Sequence, residues 1–205
     1  MLKPSELKLD EEQARKVKTF SNMLAEGKEF YYSPFPDTLY ADLNITLTDK
    51  HLAMCMLRHL DKEIAEKAEE IMKTDRSKRS KVLSIAKLVK DKTLYELFDA
   101  SRKAVDEVNV PSYAIEEIKR LKPSRLTLWT DTPRETVEIY VRKKIDPLYN
   151  FDGEVEDIII HATELQHRDG ILTGEVNFLP DEYFRHNIQH IEYSKFLESV
   201  ADRIV

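Results

Sequence analysis

Glycine and cysteine are scarce in this chain, and each shortage closes off a class of function. Four glycines in 205 residues leave no G-x-G-x-x-G fingerprint and no G-x-x-x-x-G-K-[ST] loop, so neither usual nucleotide cradle is present. No G-x-S-x-G nucleophile elbow occurs either. The single cysteine, Cys55, rules out an intramolecular disulfide and a paired-cysteine metal site. Set between Met54 and Met56, it reads as a reduced thiol in a core. No apolar run approaches the ~18 residues that a membrane-spanning helix needs, and no charged-then-apolar leader opens the chain. The expectation is a soluble, cytoplasmic protein with no membrane partner and no cofactor.

What is abundant is charge, unevenly placed. Residues 1–72 carry 10 basic and 14 acidic side chains, residues 73–149 carry 18 and 12, and residues 150–205 carry 4 and 12. A basic middle beside an acidic end suggests self-association or two different partners. It also marks the one plausible internal boundary. A mainly helical domain is expected over 1–149, with an acidic hairpin-plus-helix segment over 150–205 packed onto it.

Along the chain, Asp10 with Gln13 forms a capping box for a first helix. The aromatic stretch Phe30–Phe35, interrupted by Pro34, reads as an irregular segment or edge strand. Leu39 to Leu47 alternates, apolar Leu43, Ile45 and Leu47 against polar Asp42, Asn44 and Thr46, which predicts a half-buried strand. Asp49 to Lys73 predicts one long amphipathic helix. A basic helix follows over 78–90, and Thr93 with Glu96 starts another. Arg125 to Trp129 is a short strand candidate. Thr132-Pro-Arg-Glu135 combines a capping box with proline, so a helix is expected to begin there. Residues 154–178 predict a β-hairpin, for which a three-residue loop best separates polar from apolar faces. A closing helix from about Pro180 has apolar residues on two opposite sides.

The fold class expected from these elements is α+β and predominantly helical. It has about six helices, a C-terminal β-hairpin and one or two further short strands.

Three functional readings follow. With the usual enzyme motifs missing, the first is a non-catalytic protein-interaction or assembly module of an intracellular complex, a homo-oligomer or part of a larger assembly. Its partner surface is Tyr193, Phe196, Leu197 and Val200 on the closing helix. The second is nucleic-acid binding, with Arg76, Arg79, Lys87 and Lys90 along one flank of the basic helix to neutralise phosphates. The third is a metal-dependent hydrolase around His161, Glu175, His186 and His190. His186 and His190, four apart on one helix face, have the spacing to share a metal. Asn187 stands where a zinc protease would need a glutamate base, so that protease class is excluded.

Overall fold

The computed structural model describes residues 9–25, 30–34, 37–149, 157–177 and 201–202. Its centre is a five-stranded sheet in the order β1-β2-β3-β4-β5. The strands are β1 (Phe30–Pro34), β2 (Asp37–Asp42), β3 (Arg125–Pro133), β4 (Asp157–Arg168) and β5 (Ile171–Asn177). β2, β3 and β4 run parallel, and antiparallel β1 and β5 close the two edges. The helices are α1 (Glu11–Ala25), α2 (Leu43–Thr46), α3 (Leu52–Leu60), α4 (Lys62–Met72), α5 (Lys78–Leu88), α6 (Leu94–Glu107), α7 (Ser112–Leu121), α8 (Arg134–Tyr140) and α9 (Asp146–Tyr149). A π-helical turn, Val141–Ile145, joins the last two.

This is an α/β arrangement, which overturns the predominantly helical α+β expectation. The reason lies in β3. Its residues are buried almost without a break, because a strand flanked by two parallel neighbours is covered on both faces. Its partners lie far away in the chain, Leu39 opposite Leu126 and Ile158 opposite Leu126. No local periodicity reports such pairings. Residues 157–177 add β4 and β5 to the same sheet that β1, β2 and β3 build.

Local signals hold where a side chain satisfies a backbone group. Asp10 and Gln13 exchange backbone bonds at 2.7 and 3.0 Å, and Thr93 and Glu96 form a full capping box. β1 is an edge strand, as Pro34 requires. The single helix expected over 49–73 is instead divided at Asp61. That residue has extended φ and its carboxylate accepts from the Glu63 and Ile64 amides, which starts α4 anew. Tyr140 is fully buried, and its hydroxyl donates to the Leu47 carbonyl at 2.6 Å. This bond ties α8 to the segment after α2.

The hairpin between β4 and β5 also differs from expectation. Its turn is the two-residue Asp169-Gly170, with φ of 51° and 78°, the mirror-image turn whose twist suits paired strands. The pairing steps from Leu165↔Val176 to His167↔Leu172, so the additional residues sit in β5 around Gly174. Ile158, Ile160 and Ala162 face the core as the alternation predicts. Thr163, expected on a polar face, is buried.

Gly174 has φ of +81°, and an added Cβ would stand 3.1 Å from Lys90 Cβ and 3.4 Å from Lys87 Cα. Glycine is therefore required both by conformation and by the approach of α5. Gly170 also has positive φ but has nothing within 4 Å of an added Cβ. Gly174→Ala is expected to destabilise by about 2 kcal/mol or more and Gly170→Ala by about 1 kcal/mol. Urea unfolding of the two variants checks the order.

Candidate functional site

β2 ends at Asp42, where the chain turns into α2. In open α/β sheets, ligands bind beyond the carboxyl ends of parallel strands. Asp42 is buried, and its Oδ1 accepts from the amides of Asn44 at 2.9 Å and Ile45 at 3.2 Å. These two bonds cap α2 and fix the carboxylate at the strand end.

Beside it, β3 departs from regular pairing. Asp42 pairs with Trp129 and Trp129 with His161, but the next β3–β4 pair is Pro133 with Thr163. Thr130, Asp131 and Thr132 therefore stand out of the ladder as a bulge. Bulges of this kind re-aim side chains at the end of a sheet.

Asn44 holds the bulge in place. Its Nδ2 donates to Thr130 Oγ1 at 3.0 Å, Asp131 Oδ1 at 2.8 Å and Thr132 Oγ1 at 3.0 Å. Two amide hydrogens are thus shared among three oxygens. Its Oδ1 accepts from the Leu52 amide, the first residue of α3, at 3.3 Å. Within the bulge, the Thr132 amide donates to Thr130 Oγ1 at 3.1 Å. The capping box expected from Thr132 and Glu135 does not form, because α8 is capped by Pro133 without a side-chain bond and Thr132 is engaged with Asn44.

Two ionisable groups border Asp131. Lys78 Nζ lies 3.6 Å from Asp131 Oδ2 and supplies positive charge at the start of α5. His51, the residue before α3, has an Nδ1 that is buried and without a hydrogen-bond partner. Burial pulls its pKa below the ordinary 6.5; Asp131 opposes this shift and Lys78 adds to it. Next to them is a cavity of about 50 Å³, walled by Met54, Leu57, Met72, Val82, Ile85 and Leu165. His51, Asp131 and Thr163 form its polar border.

Carboxylates gathered at a strand end can hold a divalent cation. Among the described residues, no group of three or more His, Cys, Asp or Glu is placed to hold one. Asp131 is already engaged with Asn44 and Lys78, so the described residues do not form a cation cradle.

The residues singled out from sequence lie elsewhere or apart. Arg76, Arg79, Lys87 and Lys90 border or belong to α5. Arg76 reaches Ser84 Oγ at 3.4 Å, and Lys87 and Lys90 lie where β5 approaches. His161 is half-buried in β4, and Glu175 follows Gly174 in β5. His186, His190, Tyr193, Phe196, Leu197 and Val200 lie outside the described residues. Asp42 and Asn44 were overlooked because Asp42-x-Asn44-x-Thr46 continues the alternation of a strand. The usable signal was an aspartate closing an apolar run with an amide two residues on, a helix-capping pattern rather than a strand face.

Neither a protein-family model nor a curated protein matches the sequence. Solved structures do match in fold. A substrate-bound phosphoserine phosphatase complex superposes with a TM-score of 0.53 at 20% identity, over 75% of this chain and 70% of that one. A protein of unknown function from Bordetella pertussis Tohama I gives a TM-score of 0.54 at 15% identity, over 73% of this chain and 70% of that one. A HAD-family hydrolase from Salmonella enterica serovar Typhi gives 0.50 at 13% identity, over 90% of this chain and 62% of that one.

The chain shares its fold with those structures. This corrects the expectation of a non-catalytic interaction or assembly module, and with it the nucleic-acid-binding alternative. Polar groups gather at the end of β2 and in the β3 bulge. No helix among the described residues is long and apolar enough to cross a membrane.

Two outcomes test the site's construction. Asn44→Ala leaves the bulge oxygens and the Leu52 amide without their partner, and should destabilise by about 1–3 kcal/mol in denaturant unfolding. Asn44→Asp, which sets an acceptor against the Asp131 carboxylate, should cost more at neutral pH. The second outcome concerns His51. Its folded-state pKa is depressed, so its contribution to stability is fully present above about 6.5 and is lost as pH falls through the folded-state value. His51→Leu should flatten that decline when unfolding midpoints are compared between pH 7.5 and pH 5.

Proposed function

We propose that this protein is a phosphohydrolase that transfers the phosphoryl group of a phosphate monoester to Asp42. One observation supports the reading above others: a buried carboxylate fixed by two amides at the carboxyl end of a parallel strand, beside a bulge of hydroxyl and carboxylate groups. The fold is shared with a phosphoserine phosphatase and a HAD-family hydrolase, which is consistent with this chemistry.

Each step is assigned to the chain's own groups. A carboxylate oxygen of Asp42 attacks phosphorus in line with the ester oxygen. A P–O bond forms to Asp42 as the ester P–O bond breaks, and the bonding pair leaves with the ester oxygen, which takes a proton from water. A second water then attacks the phosphorus of the acyl phosphate, releasing inorganic phosphate and restoring the Asp42 carboxylate. Splitting one displacement into two through a covalent intermediate is the usual gain of nucleophilic catalysis. Lys78 and the hydroxyls of Thr130 and Thr132 are the groups suited to stabilise charge on the phosphoryl oxygens.

Asn44 carries no transferable proton at neutral pH. Its part is positional, and leaving oxygens of low basicity should depart fastest. The reducing cytoplasm suits a chain whose one thiol, Cys55, is buried and free.

Asparagine caps a helix as well as aspartate does, so Asp42→Asn should preserve fold and stability. Turnover of aryl and alkyl phosphate monoesters should fall by on the order of a thousandfold or more. Phosphate release by wild type and variant, assayed side by side, checks this. Equal rates in the two would remove Asp42 from the reaction.

A further inference from the structure

The cavity beside the bulge carries information about the organic part of the substrate. It is walled by side chains of α3, α4 and α5 together with β3 and β4. Those helices belong to the connection between β2 and β3, so the segment that leaves the Asp42 turn returns to roof the neighbouring strand ends. Asp131, held by Asn44 at 2.8 Å, belongs both to the bulge and to the cavity's border. The cavity thus meets the bulge at Asp131.

Its chemistry is one-sided. Asp131 and His51 are the ionisable groups among its lining residues, and both sit on the border shared with the bulge. Apart from them and Thr163, the walls are methionine, proline and aliphatic side chains, with no amide or guanidinium. Phosphoserine would bring an ammonium and a carboxylate into this space. The carboxylate would be stripped of water beside the like charge of Asp131, with no cation among the lining residues to meet it, which is costly. An aliphatic group would lose only contact with water, which is favourable in proportion to its length.

Resting on the assignment of Asp42 as the phosphoryl acceptor, we infer that the substrate is a phosphate monoester of a short apolar alcohol, whose hydrocarbon group fills this cavity. The volume of about 50 Å³ holds roughly three to four methylene-sized groups, by comparison with the space one water occupies. Met54 and Met72 line it, and their flexible thioethers can adjust to branching. Val82 is half-buried on α5 and Met72 half-buried on α4. Both can be changed without opening the central core.

The test is calorimetric titration of the full chain with the alkylphosphonates from methyl to hexyl, whose C–P bond resists hydrolysis. Affinity should rise roughly fourfold per methylene up to about butyl and then level off. O-phospho-L-serine should bind more weakly than propylphosphonate. Val82→Phe, which fills the space, should flatten the series. Met72→Ala, which enlarges it, should move the plateau to a longer chain.

A flat series in the wild type, tighter binding of phosphoserine than of butylphosphonate, or no binding of any member at millimolar concentration would each overturn the inference. The two proposals separate cleanly. A chain-length series without any turnover of butyl phosphate leaves the subsite standing and removes phosphoryl transfer. Turnover at Asp42 with a flat series does the reverse.

Discussion

Everything at the carboxyl end of this sheet depends on the side chain of Asn44. Three elements that share no local sequence meet on it: the α2 turn, the β3 bulge and the first turn of α3. A strand that departs from its ladder leaves polar groups without regular partners, and in a buried setting each costs free energy until it is satisfied. The carboxamide is suited to the task because it presents donors on one side and an acceptor on the other. A carboxylate in its place would offer only acceptors to Asp131 and the two threonine hydroxyls. An aliphatic residue would offer nothing.

With the bulge fixed, the remaining geometry follows. Asp42 is oriented by the two amides just beyond it, and Tyr140 secures the segment after α2 through the Leu47 carbonyl. Lys78 reaches Asp131 from the start of α5, so the helix that walls the cavity is also tied by charge to the bulge. The other end of β2 is anchored separately. Asp37 accepts from the Ser124 amide at 2.9 Å and from Lys16 at 3.2 Å, which holds β2 against the start of β3. The strand carrying the proposed nucleophile is thus fixed at both ends.

What the sequence made legible was whatever a short segment decides for itself. The capping boxes at Asp10 and Thr93, the edge character of β1 and the apolar face of Ile158, Ile160 and Ala162 all follow from residues within a few positions of each other. The parallel sheet did not, because β2, β3 and β4 find their partners across 87 and 32 positions, as Thr38↔Arg125 and Arg125↔Asp157 show. Asp61 and Thr132 show the same limit at residue scale. Asp61 looks like part of a helix's polar face until its capping bonds appear. Thr132 looks like a helix cap until Asn44, 88 positions away, claims its hydroxyl. The candidate site was hidden for this reason: Asp42 and Asn44 acquire meaning only beside Thr130, Asp131 and Thr132.

The central claim is that Asp42 takes up the phosphoryl group. An acyl phosphate is split by hydroxylamine, which converts the aspartyl group to a hydroxamate and leaves serine or histidine phosphates behaving differently. The most direct measurement is to quench the protein during turnover of a phosphate monoester, treat it with hydroxylamine and map the modified residue by peptide mass spectrometry. A hydroxamate confined to Asp42, and absent when the ester is omitted, is the result expected. A stable phosphate on another residue, or turnover with Asp42 unmodified throughout, would contradict the assignment.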